Sequence, residues 1–209
     1  MKLRVPFYKQ TTDLNCGPSA LKMVLAYFGK NIDIKILEEK IGIKEGKGIS
    51  TIQIATASSL LGFKTEFYSK YISFNPENLK LDFYKKYSDS DIQKSKKLIK
   101  NAKSAGVKIY EKTLPLEKIL KFVTKNSIPI VLLDWNIITN GKERGYHGHF
   151  VPIVGYDEKE VYVHNHGLKD TKKFMMINKR IFDKARIAKG TDEDFLVIYK
   201  PNFLEPKNL

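Results

Sequence analysis

Apolar positions follow two regimes along the chain. Up to Leu61 they recur at helical spacing, and from Ile128 onward they run mostly in short extended stretches. After Gly17-Pro18, the residues Leu21, Val24, Leu25 and Phe28 keep the i, i+3, i+4, i+7 pattern, and Gly29 stands where a helix would stop. Ala20, Met23 and Tyr27 widen that stripe around most of the circumference, which predicts a buried central helix. Asp33 to Ile41 reads as a second helix, and Ser50 or Thr51 starts a third that runs to Leu61 and ends at Gly62. Arg4 to Tyr8 and Phe63 to Ser69 read as extended. Asn75-Pro76 and then Asp89 or Ser90 are helix starts, the latter leading to about Ala105 with Ile92, Ile99 and Ala102 on one stripe. Val107 to Tyr110 reads as a strand and Leu116 to Thr124 as a helix. Strands are expected at Ile128 to Asp134, Gly148 to Tyr156, Val161 to Asn165, Lys173 to Ile177 and Phe195 to Lys200, with a helix around Lys179 to Ile187. Helices first and strands later define an α+β fold, and no repeat or linker divides it, so one domain spans 1–209.

Composition narrows the function classes. At 209 residues, with 42% hydrophobic and 11% aromatic, the chain can bury a core without staples. The longest apolar runs, Ile128 to Trp135 and Phe150 to Val154, fall far short of the roughly 20 residues of a membrane span. The N-terminus shows no signal-type apolar stretch, so a cytoplasmic location is expected. Net charge is +14, which favours anionic partners. The arginines are only Arg4, Arg144, Arg180 and Arg186, with no aromatics interleaved, so no specific nucleic-acid partner is expected. Nine lysines between Lys85 and Lys112 face only Asp89, Asp91 and Glu111, which reads as a solvated outer helix or as a flank that selects acidic peptides.

The candidate chemistry centres on Cys16. It is the single cysteine, so neither a disulfide nor a CxxC pair exists within the chain. It sits where an extended segment turns into a helix, and the free amides of a helix start favour a thiolate there. Gln10, six residues upstream, could reach back and join the Cys16 N–H as a second oxyanion donor. A nucleophilic thiolate needs a base and an orienter, and the histidines are His147, His149, His164 and His166. Residues 148–165 read as a hairpin, and a turn centred on Asp157 sets His149 directly opposite Asn165. The same face would then carry Val151, Ile153, Val161 and Val163. His-x-His occurs twice and invites a metal-site reading. In that register, however, His164 and His166 point away from His147 and His149, so they read as strand-end surface residues and no metal or cofactor is expected.

The blocks Gln10-Thr11-Thr12-Asp13-Leu14-Asn15-Cys16-Gly17-Pro18-Ser19-Ala20-Leu21 and His149-Phe150-Val151-Pro152-Ile153-Val154-Gly155-Tyr156-Asp157, followed by Val161 to Asn165, resemble the papain-like cysteine peptidases related to the bacteriocin leader-processing peptidases. The resemblance implies a papain-like α+β fold whose N-terminal helix carries the nucleophile and packs on a C-terminal antiparallel sheet. It implies Cys16 as nucleophile, His149 as base, Asn165 as orienter and Gln10 in the oxyanion hole, with a peptide or protein as substrate. Many relatives carry aspartate followed by proline at the third position, where this chain has Asn165-His166. Residues of about 72–114 stand as a lysine-rich helical insertion. The best-known members cleave leader peptides after two glycines and are fused to a transporter, and neither a membrane nor an ATPase part is read here. The function expected is amide or peptide hydrolysis. The alternatives are a peptide-binding module of the same fold without turnover, and an acyltransferase using the same thioester.

Overall fold

The computed structural model describes residues 1–88, 90–141 and 145–201. Asp89 and Arg144, both invoked above, lie outside the described residues. The order of elements is α1 (Cys16–Tyr27), α2 (Ile34–Ile41), α3 (Thr51–Leu60), β1 (Thr65–Ser69), a 3-10 turn (Pro76–Lys80), α4 (Asp82–Tyr87), α5 (Ile92–Ser104), β2 (Lys108–Glu111), α6 (Leu116–Leu120), β3 (Ser127–Asp134), α7 (Trp135–Ile138), β4 (Gly148–Tyr156), β5 (Glu160–Asn165), β6 (Lys172–Asn178), α8 (Lys179–Arg186) and β7 (Phe195–Tyr199). The α+β class holds. The capping signals act as expected: Asp33 accepts from the Lys35 amide, and Ser50 with Gln53 forms a capping box at the start of α3. Asp91, rather than Asp89 or Ser90, caps α5 by accepting from the Lys94 amide.

All seven strands form one sheet in the order β2-β1-β7-β3-β4-β5-β6. Among the described residues only the β1–β2 pair is parallel. The sheet is therefore not built from the C-terminal half alone, because β1 and β2 extend it past β7. Central strands β3 and β7 are buried on both faces, so they read as continuous apolar runs rather than as alternation. Helix α1 lies on β4 with Ala20, Leu21, Met23, Val24 and Leu25 fully buried, which follows from its wide apolar stripe. That packing carries the N-terminal end of α1 to the His149 end of β4.

The 148–165 hairpin does not keep the expected register. Ile153 pairs with Val163, but Gly155 pairs with Tyr162 and Tyr156 with Val161, so a bulge at Val154 interrupts the ladder. His149 pairs with Leu133 on the other side of β4 and is not opposite Asn165. The N-terminus enforces this arrangement: Leu3 N donates to Val154 O at 2.7 Å, and Lys2 bridges Gly155. A Cβ on Gly155 would lie 2.4 Å from Met1 O and 2.9 Å from Lys2 Cα, both backbone atoms that cannot swing aside. Gly155→Ala is expected to destabilise the fold by about 1–3 kcal/mol, and hydrogen exchange should show residues 1–5 opening first. Unchanged protection of that segment would refute the account.

Candidate active site

Cys16 opens α1 and is 9% exposed. The loop before it is held by Asn15, which is 1% exposed: its Oδ1 accepts from the amides of Thr11 and Thr12, and its Nδ2 donates to Thr11 Oγ1 and Glu38 Oε1. Nothing acidic stands in the first turn of α1, so the helix start keeps its positive end uncompensated. The thiol nevertheless does not rest as a thiolate. Burial raises its pKa, and the opposing hydrogen bonds from the amides of Phe150, Gly17 and Cys16 itself do not overcome it. The expected thiolate is thus corrected to a buried neutral thiol.

The Phe150 amide that reaches this sulfur belongs to the residue after His149. His149 is 6% exposed, its ring meets Trp135 edge-on at 4.7 Å, and it lies 5.0 Å from the ring of His166. Its Nε2 has no hydrogen-bond partner, and no hydrogen bond joins its ring to the thiol among the described residues. Burial first, then the fields of His166 and His147, push its pKa well below the ordinary imidazole range, so it rests as a neutral base. Gln10, 6% exposed, donates from Nε2 to Thr12 O at 2.9 Å and leaves its Oε1 unpartnered. Asn165 spends its side chain locally: Nδ2 donates to Asp170 O at 2.7 Å, and Oδ1 accepts from the Gly167 amide at 3.3 Å. Gln10, Cys16, His149 and Asn165 all line a single cavity of about 1460 Å³.

Three residues at this site were not legible beforehand. His164 and His166 are not surface residues: both are fully buried. His164 accepts from the Phe174 amide at Nδ1 and donates from Nε2 to Val5 O. His166 has come round to the side of His149, which the parity argument had excluded. Its two ring nitrogens face carbonyl oxygens, His164 O at 3.0 Å and Cys16 O at 2.9 Å, while its own carbonyl accepts from the Gln10 amide at 2.9 Å. One residue thereby ties the end of β5 to Cys16 through its ring and to the Gln10 loop through its main-chain carbonyl. Burial outweighs the two carbonyls and lowers its pKa, and a neutral ring donates to only one of them at a time. Trp135 is the third. It follows the strand that pairs with His149, and a lone tryptophan at a strand end was its only sequence signal.

Asp194 also lines the cavity, and burial pushes its carboxyl up to about 8. The hydroxyls of Ser69 and Thr51 lie near enough to favour its anion, yet its Oδ1 makes no hydrogen bond of good geometry. With the folded value above the unfolded one, the stability tied to the protonated acid is complete at low pH and is lost as pH rises toward 8. Asp194→Asn is therefore expected to raise the melting temperature by only a few degrees at pH 5 and by roughly 10 °C or more at pH 9. An equal shift at both pH values, measured by calorimetry, would contradict this.

The fold is the papain-like α+β fold seen in double-glycine leader peptidase domains. Three solved structures share it: a double glycine motif protease from an AMS/PCAT transporter in complex with the leader peptide (TM-score 0.52, 20% identity, 96% of this chain and 94% of that one), the peptidase domain of Streptococcus ComA (0.53, 16%, 95% and 99%), and a Bacillus anthracis protein described as C39-like (0.57, 16%, 96% and 98%). The chain itself belongs to the family described as Guanylylate cyclase, whose model matches residues 5–198. Guanylyl cyclase 1 of Arabidopsis thaliana is 26% identical over 211 residues, covering 95% of this chain and 76% of the relative.

Proposed function

We propose that the protein hydrolyses a peptide or related amide through Cys16 and His149. The observation that carries this reading is a buried thiol at an open helix start, reached by the amide of the residue after His149, in the same peptide-sized cavity that the His149 ring lines with its Nε2 unpartnered. His149 takes the thiol proton as the sulfur attacks the carbonyl carbon, because both groups rest neutral. Gln10 Nε2 and the Cys16 amide are the donors proposed for the oxyanion. His149 then delivers the proton to the leaving amine, and water, deprotonated by the same ring, splits the thioester and restores the thiol. Asn165 is proposed as orienter of His149, which requires its amide to leave Asp170 when substrate arrives. Lys97, Leu98 and Asn101 of α5 line the cavity, which supports the basic insertion as a flank for acidic peptides.

Family membership favours a second reading, conversion of GTP to a cyclic nucleotide, and lysines along the cavity are compatible with a polyphosphate. Among the described residues no group of three or more His, Cys, Asp or Glu is placed to hold a metal ion. A digest of a peptide library by the native chain, run beside GTP with magnesium or manganese and analysed by mass spectrometry, separates the two. Peptide products support the hydrolase, a cyclic nucleotide supports the cyclase, and an amide formed with an added amine marks acyl transfer.

A further inference from the structure

The end of β5 and the residue after it bring three polar side chains together, His164, Asn165 and His166, and the reaction proposed above uses only the middle one. His164 and His166 are both 0% exposed, as buried as the core around them. Both reach the segment that leads into α1. His164 Nδ1 accepts from the Phe174 amide at 3.1 Å, so its proton sits on Nε2, which donates to Val5 O at 3.0 Å. His166 faces Cys16 O with Nε2 at 2.9 Å, and its main-chain carbonyl accepts from the Gln10 amide at 2.9 Å. Residues 5–16 are therefore gripped from one strand end at Val5, Gln10 and Cys16.

That grip falls on the groups whose spacing matters if the thiol attacks a carbonyl. Cys16 carries the sulfur, and its amide is proposed to share the oxyanion with Gln10 Nε2. The apolar packing of α1 on β4 is non-directional, whereas a buried hydrogen bond weakens steeply once it is misaligned. Asn15 organises the loop through Thr11, Thr12 and Glu38, and none of those bonds reaches the sheet. The His166 ring also lies 5.0 Å from the ring of His149, so this one side chain spans the nucleophile and the base. Its Nδ1 stands 3.0 Å from His164 O, a contact within its own strand end. The Nε2 contact instead bridges 150 positions, and two lone pairs facing each other there would push the start of α1 away.

We propose that His166 is a positioning residue that donates from Nε2 to Cys16 O and thereby fixes the Cys16 sulfur and the Gln10 loop relative to His149. The proposal rests on the hydrolase reading for its effect on turnover, and on the tether alone for its effect on the thiol. Without the donor the start of α1 can shift, and a misplacement of about 1 Å costs on the order of 10²-fold in rate. Peptide contacts elsewhere along the cavity are untouched, so the loss falls on kcat and not on KM. The same loosening opens the buried sulfur to small reagents, so turnover and alkylation move in opposite directions.

The test compares His166→Leu, which fills the space but has no donor, with His166→Gln, whose Nε2 can serve the same carbonyl. On a peptide that the native chain cleaves, His166→Leu is expected to lower kcat about 10²-fold with KM within about twofold, and His166→Gln to recover at least about tenfold of that loss. Iodoacetamide should alkylate Cys16 at least about fivefold faster in the leucine variant and near the native rate in the glutamine variant, with hydrogen exchange of the β3 amides unchanged in both. Equal kcat in the two variants, a loss confined to KM, or alkylation indifferent to the donor would overturn the positioning role. Long-range proton–nitrogen NMR of the native chain reads the tether without any variant, and so decides even if a variant fails to fold. His166 should be the Nε2–H tautomer with a slowly exchanging proton, and an Nδ1–H tautomer would overturn the tether. If the native chain cleaves no peptide while the tautomer and the alkylation rates come out as expected, the hydrolase fails and the tether stands. If peptide is cleaved and both variants turn over alike, the hydrolase stands and the positioning role fails.

Discussion

Cys16→Ala is expected to lower turnover of a cleaved peptide by at least about 10⁴-fold while the chain keeps its fold. The sulfur is the only thiol, so no second group can take over the attack. The fold should tolerate the change, because the deletion is one buried sulfur at the cavity wall and the neighbouring α1 residues keep their packing on β4. The resting thiol makes the control informative. Burial holds it protonated, so iodoacetamide should react more slowly than with free cysteine at pH 7 and should accelerate steadily above pH 9. Near-native peptide turnover by the alanine variant would end the thiol mechanism outright.

Replacing His149 with glutamine should cost about 10²–10⁴-fold in kcat/KM, with KM little changed, since glutamine keeps volume but takes no proton. The pH profile carries the stronger statement. Because burial and two neighbouring imidazoles depress His149, the proposed peptide turnover by the native chain should persist below the ordinary imidazole range and fail only as pH falls through that lowered value. The glutamine variant should lack this acid limb. If the limb survives in the variant, the base is another group, and His147 at the mouth of the cavity is the next to replace.

The helical half of the fold was readable because its signals are local. Asp33, Ser50 and Gln53 act within one turn, and the stripe of α1 needs only its own spacing to imply burial. Helix α4 and the single turn α7 escaped, since both are short and neither has a full apolar repeat. Of the site, the two blocks around Cys16 and His149 were legible as a resemblance. The three-dimensional company of those blocks was not.

Register is where the sequence was insufficient. The apolar alternation of β4 and β5 is satisfied by several pairings, and the bulge at Val154 is selected by the N-terminal segment that binds Val154 and Gly155 from more than 140 positions away. A second irregularity, between Val163 and Asn165 against β6, lies just before His166, whose buried ring faces Cys16 O and His164 O while its main-chain carbonyl accepts from the Gln10 backbone amide. By itself the sequence determined an α+β chain with one thiol at the start of a buried helix, because propensity, capping and stripe width are properties of neighbours along the chain. Only the tertiary structure decided that burial raises the thiol pKa, that His149 Nε2 has no hydrogen-bond partner and that Thr51, Tyr146 and Asp194 share its cavity. Desolvation and pairing depend on atoms brought together from distant segments, and no local pattern encodes them.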